Sequence, residues 1–513
     1  MAGRVVRNLR IAILWGAPLL FIGYLFVYPL FRILAESLSG EGFAQLLTRE
    51  RFLNAAWFTI WQALVSTILT LLASFPLTWA LSRFNFRGKQ TIRALITIPF
   101  VLPTVVVGAS FLDLLPRGVL AILAAHVFYN VAVVVRTVGG VWSRIDPRVE
   151  DSAATLGASP GRVFRTVTLP LLRPAIASAA AIVFLFCFAS FGTVLILGGG
   201  RIRTIEVEIY QQAVTFLNLP IAGALAVVQL VFVVAALLIA NRLQRRVSID
   251  LSSEVILPAP GPRHRLAVAA AIIGTLGILS VPLISLVDTS LERGGWAGLA
   301  GNAASAINPG QAIVNSLVYA AIATVIASGV GLAAARAINQ RGGAWLDTAL
   351  MLPLGVSAVT IGFGFLLALD QPFDLRGSFI LVPLAHALVA TPFVVRAALP
   401  LLRSIKPELR EAARVLGASP AKVWSEIDFP IIARALAVGA GLAAVVSLGE
   451  FGATSFVARP ASITVPTLIF RLLGRPGTTS YGTAMAMAVV LAAMTAALVL
   501  LVDRLRGREA GTF

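Results

Sequence analysis

The sequence predicts an all-α polytopic membrane protein of about twelve transmembrane helices, arranged as two parallel six-helix repeats. Three observations lead there: an apolar composition, a series of apolar runs separated by basic loops, and a self-match at constant spacing. With 58% hydrophobic and 12% charged residues and a mean hydropathy of +0.90, the chain is far more apolar than a soluble domain, which is about one quarter charged. A bilayer is the solvent that accommodates such a composition.

Runs long enough to cross a hydrocarbon core, about 20 residues each, begin near Ile11, Trp57, Ala94, Val119, Pro174 and Pro220. Six more begin near Leu266, Ile313, Trp345, Phe379, Ala435 and Tyr481. The first run, Ile11 to Ala35, follows Arg4, Arg7 and Arg10 and lacks an A-x-A exit. It exceeds the roughly 7–15 apolar residues of a secretory signal, so it reads as an uncleaved span. The segments Asp113 to Arg117 and Gln371 to Arg376 are the least regular places in the count.

Charge sets the orientation. If the N-terminus is cytoplasmic, alternation collects Arg83 to Arg93, Arg136 to Arg173, Arg242 to Arg265, Arg336 to Arg341, Arg396 to Arg434 and the tail on one side. With the first three arginines, that side holds 30 of the 41 Lys and Arg residues, against 10 opposite and Arg32 within a span. This positive-inside asymmetry places both termini in the cytoplasm. The net charge of +18 is spread between apolar runs rather than gathered in a basic stripe, which argues against a nucleic-acid partner. The single cysteine, Cys187, lies inside an apolar run and reads as a small buried hydrophobe rather than a disulfide or metal partner.

Self-comparison reveals the repeat. Ala125-His126 matches Ala385-His386, Arg136 matches Arg396, Gly157 matches Gly417, Pro170 matches Pro430, Phe191-Gly192 matches Phe451-Gly452 and Thr204 matches Thr464, all at an offset of 260. An even number of spans per unit makes the repeats parallel, with the pathway expected at the interface between halves. The expected organisation is a first repeat over 1–243, a cytoplasmic linker over 244–263 and a second repeat over 264–513, with cytoplasmic coupling loops at 141–170 and 401–430.

Each of those loops carries a polar, helix-patterned stretch: EDSAATLGASPGRVFRTVTLP from Glu150 and REAARVLGASPAKVWSEIDFP from Arg410. In the second, Pro407 opens a helix, Leu409, Ala412, Ala413 and Leu416 form a small apolar face, and Gly417 ends it. Ser419-Pro420 then caps a second short helix presenting Val423, Trp424 and Ile427, which Pro430 is expected to break. The first copy repeats the pattern from Pro147 through Gly157 and Ser159-Pro160 to Pro170. A membrane-surface connector is the plain reading. A DNA-reading helix-turn-helix does not fit a loop tethered between spans. A docking surface for a soluble partner with two equivalent subunits explains the duplication.

EAARVLG followed by ASP and Pro430 resembles the EAA loop of ATP-binding cassette importer permeases of type I, here as two permease domains fused in tandem along the whole chain. The resemblance implies ATPase-coupling roles for Glu411, Ala412, Ala413, Gly417 and Pro430, and for Asp151, Ser152, Ala153, Gly157 and Pro170 in the first half. In that half the triplet is DSA rather than EAA, which puts equal coupling by the two halves in question. It further implies two copies of a separate ATP-binding subunit that uses ATP and Mg, an extracytoplasmic substrate-binding protein, and alternating access in a bacterial inner membrane.

Absent motifs agree with a transport role. The sequence has no Walker A loop, H-E-x-x-H, cysteine cluster or G-x-S-x-G elbow, so no catalytic residue, metal or cofactor is assigned to this chain. His126 and His386 are repeat equivalents suited to a shared packing or hydrogen-bonding role, and His264 lies in the basic linker. An ion-coupled secondary carrier is the rival class, but intramembrane acids are few: Asp113, Asp370 and Glu450.

For cargo, CFASFGTVLILGGG followed by TIEVEIYQ is most similar to fused thiamine importer permeases, implying thiamine or its phosphates. SLGEFGAT in the second half is also similar to molybdate, sulfate and ferric iron permeases, which leaves ferric iron or an oxyanion as the alternative. Phe191, Gly192, Glu450, Phe451 and Gly452 are the substrate-pathway candidates. A buried acid facing the pathway suits a cation, although Glu450 also suits a cap on the broken Phe-Gly segment. The two phenylalanines can stack on an aromatic cation or simply pack.

Overall fold

A computed structural model describes residues 14–37, 41–244, 257–300, 308–340, 343–371 and 374–506. The N-terminal arginines, the start of the first span and most of the linker (245–256) lie outside the described residues. Every regular element among those described is helical. Ten helices are long and apolar enough to cross a membrane, and two further pairs, 89–101 with 104–110 and 344–355 with 358–368, bring the number to twelve if each pair is one span.

Those pairs stand where hydropathy predicts the third and ninth spans. They bend by 96° and 97°. Apolarity carries no direction, whereas the breaks do have local causes. Pro103 lies at the first bend, and at the second Ser357 accepts from Val359 N at 3.1 Å, restarting the helix after Gly355.

Two compact units emerge. In the unit formed by Leu47–Glu208 and Val228–Thr289, the helices Glu50–Arg83, Val119–Trp142 and Leu169–Phe188 pack around a core that includes Ala63, Val134, Val138, Leu172, Ala179 and Val183. A stripe of hydroxyls is buried there without orphaned donors. Thr59, Thr67, Thr70, Ser74 and Thr78 each donate to the carbonyl one turn back, at 2.6–2.7 Å.

In the other unit, Ser290–Phe513 joins Ile209–Val227 and the first apolar helix. Helices Pro309–Ile338, Leu381–Ser404 and Phe429–Gly449 form its three-helix core, in the same chain order as above. The first helix packs with the second repeat: Trp15 stacks on Trp345 with centroids 6.3 Å apart and donates to Gln340 at 3.1 Å. Compact unit and sequence repeat therefore do not coincide: the first helix and Ile209–Val227 group with Ser290–Phe513, while the chain from Val228 up to Thr289 groups with Leu47–Glu208.

Pro170 and Pro430 do not break their helices. The Pro160–Val163 helix runs through a π-helical segment, Phe164–Thr168, directly into Leu169–Phe188, and Pro420–Val423 runs through Trp424–Asp428 into Phe429–Gly449. Leu169 N donates to Phe164 O and Phe429 N to Trp424 O, five residues back. The wider turn accommodates a ring that lacks a donor and would crowd the carbonyl four residues earlier.

Candidate functional site

The two hairpins are built alike from their caps upward. In the first, Asp146 Oδ1 accepts from Arg148 N at 2.9 Å, Pro147 occupies the opening turn, and the helix runs Pro147–Thr155. Gly157 adopts φ +86°, letting Ala158 N reach Ala153 O at 3.1 Å. In the second, the helix is Pro407–Val415, Gly417 adopts φ +82°, and Ala418 N reaches Ala413 O at 2.9 Å. These six-to-one closures need the left-handed conformation that glycine adopts without a Cβ penalty.

Every coupling candidate falls on this surface. Asp151, Ser152 and Gly157 are exposed with Ala153 half-buried, and Glu411, Ala412, Gly417 and Ala413 repeat that pattern. Pro170 and Pro430 lie at the base, after the π-segments. Beside them large apolar side chains face outward: Leu156 is 90% exposed, and Val415 and Leu416 are each 87% exposed. An apolar tip that the fold itself leaves uncovered is the property a docking face requires.

What ties each hairpin to its span was not anticipated. In the first half Glu150 pairs with Arg83 and accepts from Thr168 Oγ1 at 2.6 Å. In the second, Arg410 Nε donates to Asp428 Oδ1 at 2.8 Å. Residues 150 and 410 are repeat equivalents, as are 168 and 428. The same tie is therefore made with different chemistry, and comparing residues 18 apart within the repeated stretch is the signal that finds it. The guanidinium of Arg336 also covers Trp424, 3.7 Å from the ring centroid.

Charge exchange tests the second tie. Arg410→Asp leaves two acids facing one another at a largely buried position and is expected to lower ATP-dependent uptake several-fold. Adding Asp428→Arg recovers at least half of it. A double-mutant cycle on thermal stability should show coupling of about 1–3 kcal/mol.

The pathway candidates lie just past the fifth and eleventh spans. Phe191 is buried, and Gly192 starts a short helix, Gly192–Leu197. Nearby, His126 is held between Ser66 Oγ and Ser190 Oγ, each at 2.9 Å. Asn130 contacts the buried Cys187 sulfur at 3.3 Å.

At the equivalent place in the other unit, His386 bridges Ser447 Oγ at 2.7 Å and Thr454 Oγ1 at 2.8 Å. Glu450, the counterpart of Ser190, accepts from Ala453 N at 2.8 Å, Thr454 N at 3.0 Å and the Thr454 hydroxyl. Its carboxylate caps the Thr454–Val457 helix and stands 3.4 Å from His386 Nε2. Phe451 packs on Phe470 at 5.5 Å, and a Cβ on Gly452 would meet the Ala358 methyl at 3.0 Å.

Asp113 and Asp370 lie near the ends of the bent pairs. Asp113 accepts from Thr289 at 3.0 Å, and Asp370 is 3.8 Å from Arg376. His264 is exposed and packs its ring on Phe84 at 5.4 Å.

Comparison with known proteins places these features in context. The family described as binding-protein-dependent transport system inner membrane component matches residues 74–249 and again 294–508. The chain is 28% identical to the thiamine transport system permease protein of Brucella suis over 92% of its own length and 91% of that protein. It is 26% identical to the thiamine transport system permease protein of Escherichia coli, with coverages of 81% and 83%. A sulfate transport system permease protein of Salmonella typhimurium is 31% identical, covering 45% of this chain and 91% of its own length.

Proposed function

The chain belongs to the family of inner membrane components of binding-protein-dependent transport systems, and on that premise we propose that it imports thiamine or a thiamine phosphate, driven by a separate ATPase. It is a multi-pass permease of the inner membrane, not an enzyme. In this reading two copies of the ATP-binding subunit, which consume ATP and Mg, seat on the two exposed hairpins. A substrate-binding protein delivers cargo on the opposite side.

The observation that carries the coupling is the matched pair of hairpins with the same exposure pattern over 151–160 and 411–420. Asp151, Ser152, Ala153, Gly157 and Pro170 form one lever, and Glu411, Ala412, Ala413, Gly417 and Pro430 the other. Closure of the ATPase pair moves these helices as rigid bodies and turns the pathway outward. The repeats are assigned to 1–243 and 264–513, both termini to the cytoplasm, and Phe191, Gly192, Glu450, Phe451 and Gly452 to the pathway. Thiamine is favoured because the relatives named for it span about nine-tenths of both chains.

The test is uptake of labelled thiamine by proteoliposomes holding the permease, its ATPase and its binding protein. Saturable uptake that requires ATP and all three components is expected. Uptake that persists without the ATPase and follows a proton gradient would sink the mechanism, and ATP-driven uptake of ferric iron or sulfate instead would sink the cargo.

A further inference from the structure

Between the end of the helix Glu50–Arg83 and the start of the bent pair at Lys89, the chain surrounds an open-sided cavity of about 590 Å³, within the roughly 300–1,000 Å³ typical of small-molecule sites. Its lining is rich in donors: Lys89, Arg93, Asn85, Gln90 and Thr91 contribute polar side chains, Leu257 an apolar wall, and no acid takes part. Because the turn joins two apolar segments at their ends, the cavity lies at the level of lipid headgroups rather than of the hydrocarbon core.

Two cations meet here without a counter-ion. Lys89 is half-buried, and its Nζ donates to Phe84 O at 2.8 Å, which fixes the ammonium and leaves two N–H groups for another acceptor. Arg93 is exposed one helical turn further on, where its charge opposes that of Lys89, and no carboxylate offsets either group among the described residues. Like charges four residues apart destabilise a helix, so an anion placed between them relieves a cost that the chain otherwise carries.

The other repeat shows that the fold does not demand these cations. Aligning Ile98-Pro99 with Leu352-Pro353 in the two bent pairs sets Arg93 opposite Asp347 and Lys89 opposite Gly343. Asp347 stands 4.0 Å from Arg396 and offsets its charge. Arg136, the counterpart of Arg396, instead donates to Thr97 Oγ1 at 2.8 Å, and Thr97 in turn donates to Arg93 O at 2.8 Å. The first half thus gathers cations where the second half holds an ion pair.

We propose that this cavity binds the phosphate group of an anionic phospholipid from the adjacent leaflet. Lys89 and Arg93 neutralise the charge, Asn85 and Gln90 supply neutral N–H donors to the remaining oxygens, and the open side leaves the acyl chains in the bilayer. A free phosphate ion offers the same acceptors, but a lipid headgroup is concentrated at this depth. The bound headgroup anchors the start of the bent pair to the membrane. The site stands whichever cargo the permease carries.

Native mass spectrometry of the full-length permease released from nanodiscs, with its melting temperature measured in them, tests the site. The probes are phosphatidylglycerol in a phosphatidylcholine background and, separately, inorganic phosphate in phosphatidylcholine alone. Wild type is expected to retain one phosphatidylglycerol more than Arg93→Asp, which installs the acid of the second half, and to bind it at least tenfold more tightly. Arg93→Lys keeps the charge and retains that lipid, whereas Lys89→Gln weakens binding several-fold and serves as the second variant if Arg93→Asp folds poorly. Arg87→Gln, at a cation of the same turn outside the lining, leaves binding unchanged. Retention unaffected by Lys89→Gln, a loss with Arg87→Gln as large as with Lys89→Gln, or stabilisation by inorganic phosphate in place of the lipid would each overturn the proposal.

Discussion

Gly417→Val is expected to reduce ATP-dependent uptake at least tenfold while leaving a folded permease in the membrane. A Cβ added there meets no atom within 4 Å, so the penalty arises chiefly from the backbone. At φ +82° an L-residue is disfavoured by about 1–2 kcal/mol, and a β-branched one more strongly. The turn relaxes by giving up the bond from Ala418 N to Ala413 O, and Val415 and Leu416 then point elsewhere. Gly417→Asn, which tolerates the left-handed region, should keep most activity. Gly157→Val at φ +86° is the companion experiment, and the ratio of the two losses measures how far the DSA and EAA levers contribute equally. Uptake and stimulated ATP hydrolysis in proteoliposomes are the readouts, and wild-type uptake by Gly417→Val would remove the turn from the mechanism.

Glu450→Ala is expected to cut the yield of folded permease several-fold. Without the carboxylate, the N–H groups of Ala453 and Thr454 are left buried and unpaired, at about 1–3 kcal/mol each. Ser190→Ala, at the equivalent position, removes a hydroxyl partner of His126 and Tyr129 but strands no backbone N–H, and should be milder. Glu450→Gln separates structure from transport because it retains an acceptor oxygen and loses the charge. Thermal stability and yield measured beside uptake distinguish the two roles. If Glu450→Gln folds well and fails to transport, the carboxylate meets cargo; if it transports normally, the carboxylate is a cap.

Much of this was legible because the relevant signals are local or periodic. The helical spans follow from apolar runs, and the hairpins follow from a proline at one end, Gly157 or Gly417 at the other, and Ser-Pro beyond. The direction of the chain was not legible: the runs near Ala94 and Trp345 are apolar but for a few small polar residues and Asp347, yet each turns by nearly a right angle. Proline also misled, since Pro170 and Pro430 are accommodated by a wider turn rather than a break. The ion pair of Glu150 with Arg83 joins residues 67 apart, so no window of neighbouring residues contains it, whereas the pair of Arg410 with Asp428 lies within the repeated stretch and shows only when residues 18 apart are compared.

The π-segments fix an angular phase. Each successive residue of an α-helix turns the chain by about 100°, so the one extra residue held in Phe164–Thr168, and again in Trp424–Asp428, sets the compass bearing of everything ahead of it. Deleting a single residue from either segment would restore an ordinary helix and swing the hairpin tip by more than a quarter of a circle about the axis of its own span. In this protein the length of that short stretch acts as a gear tooth: the aim of each tip is counted in residues and cannot be adjusted by smaller steps.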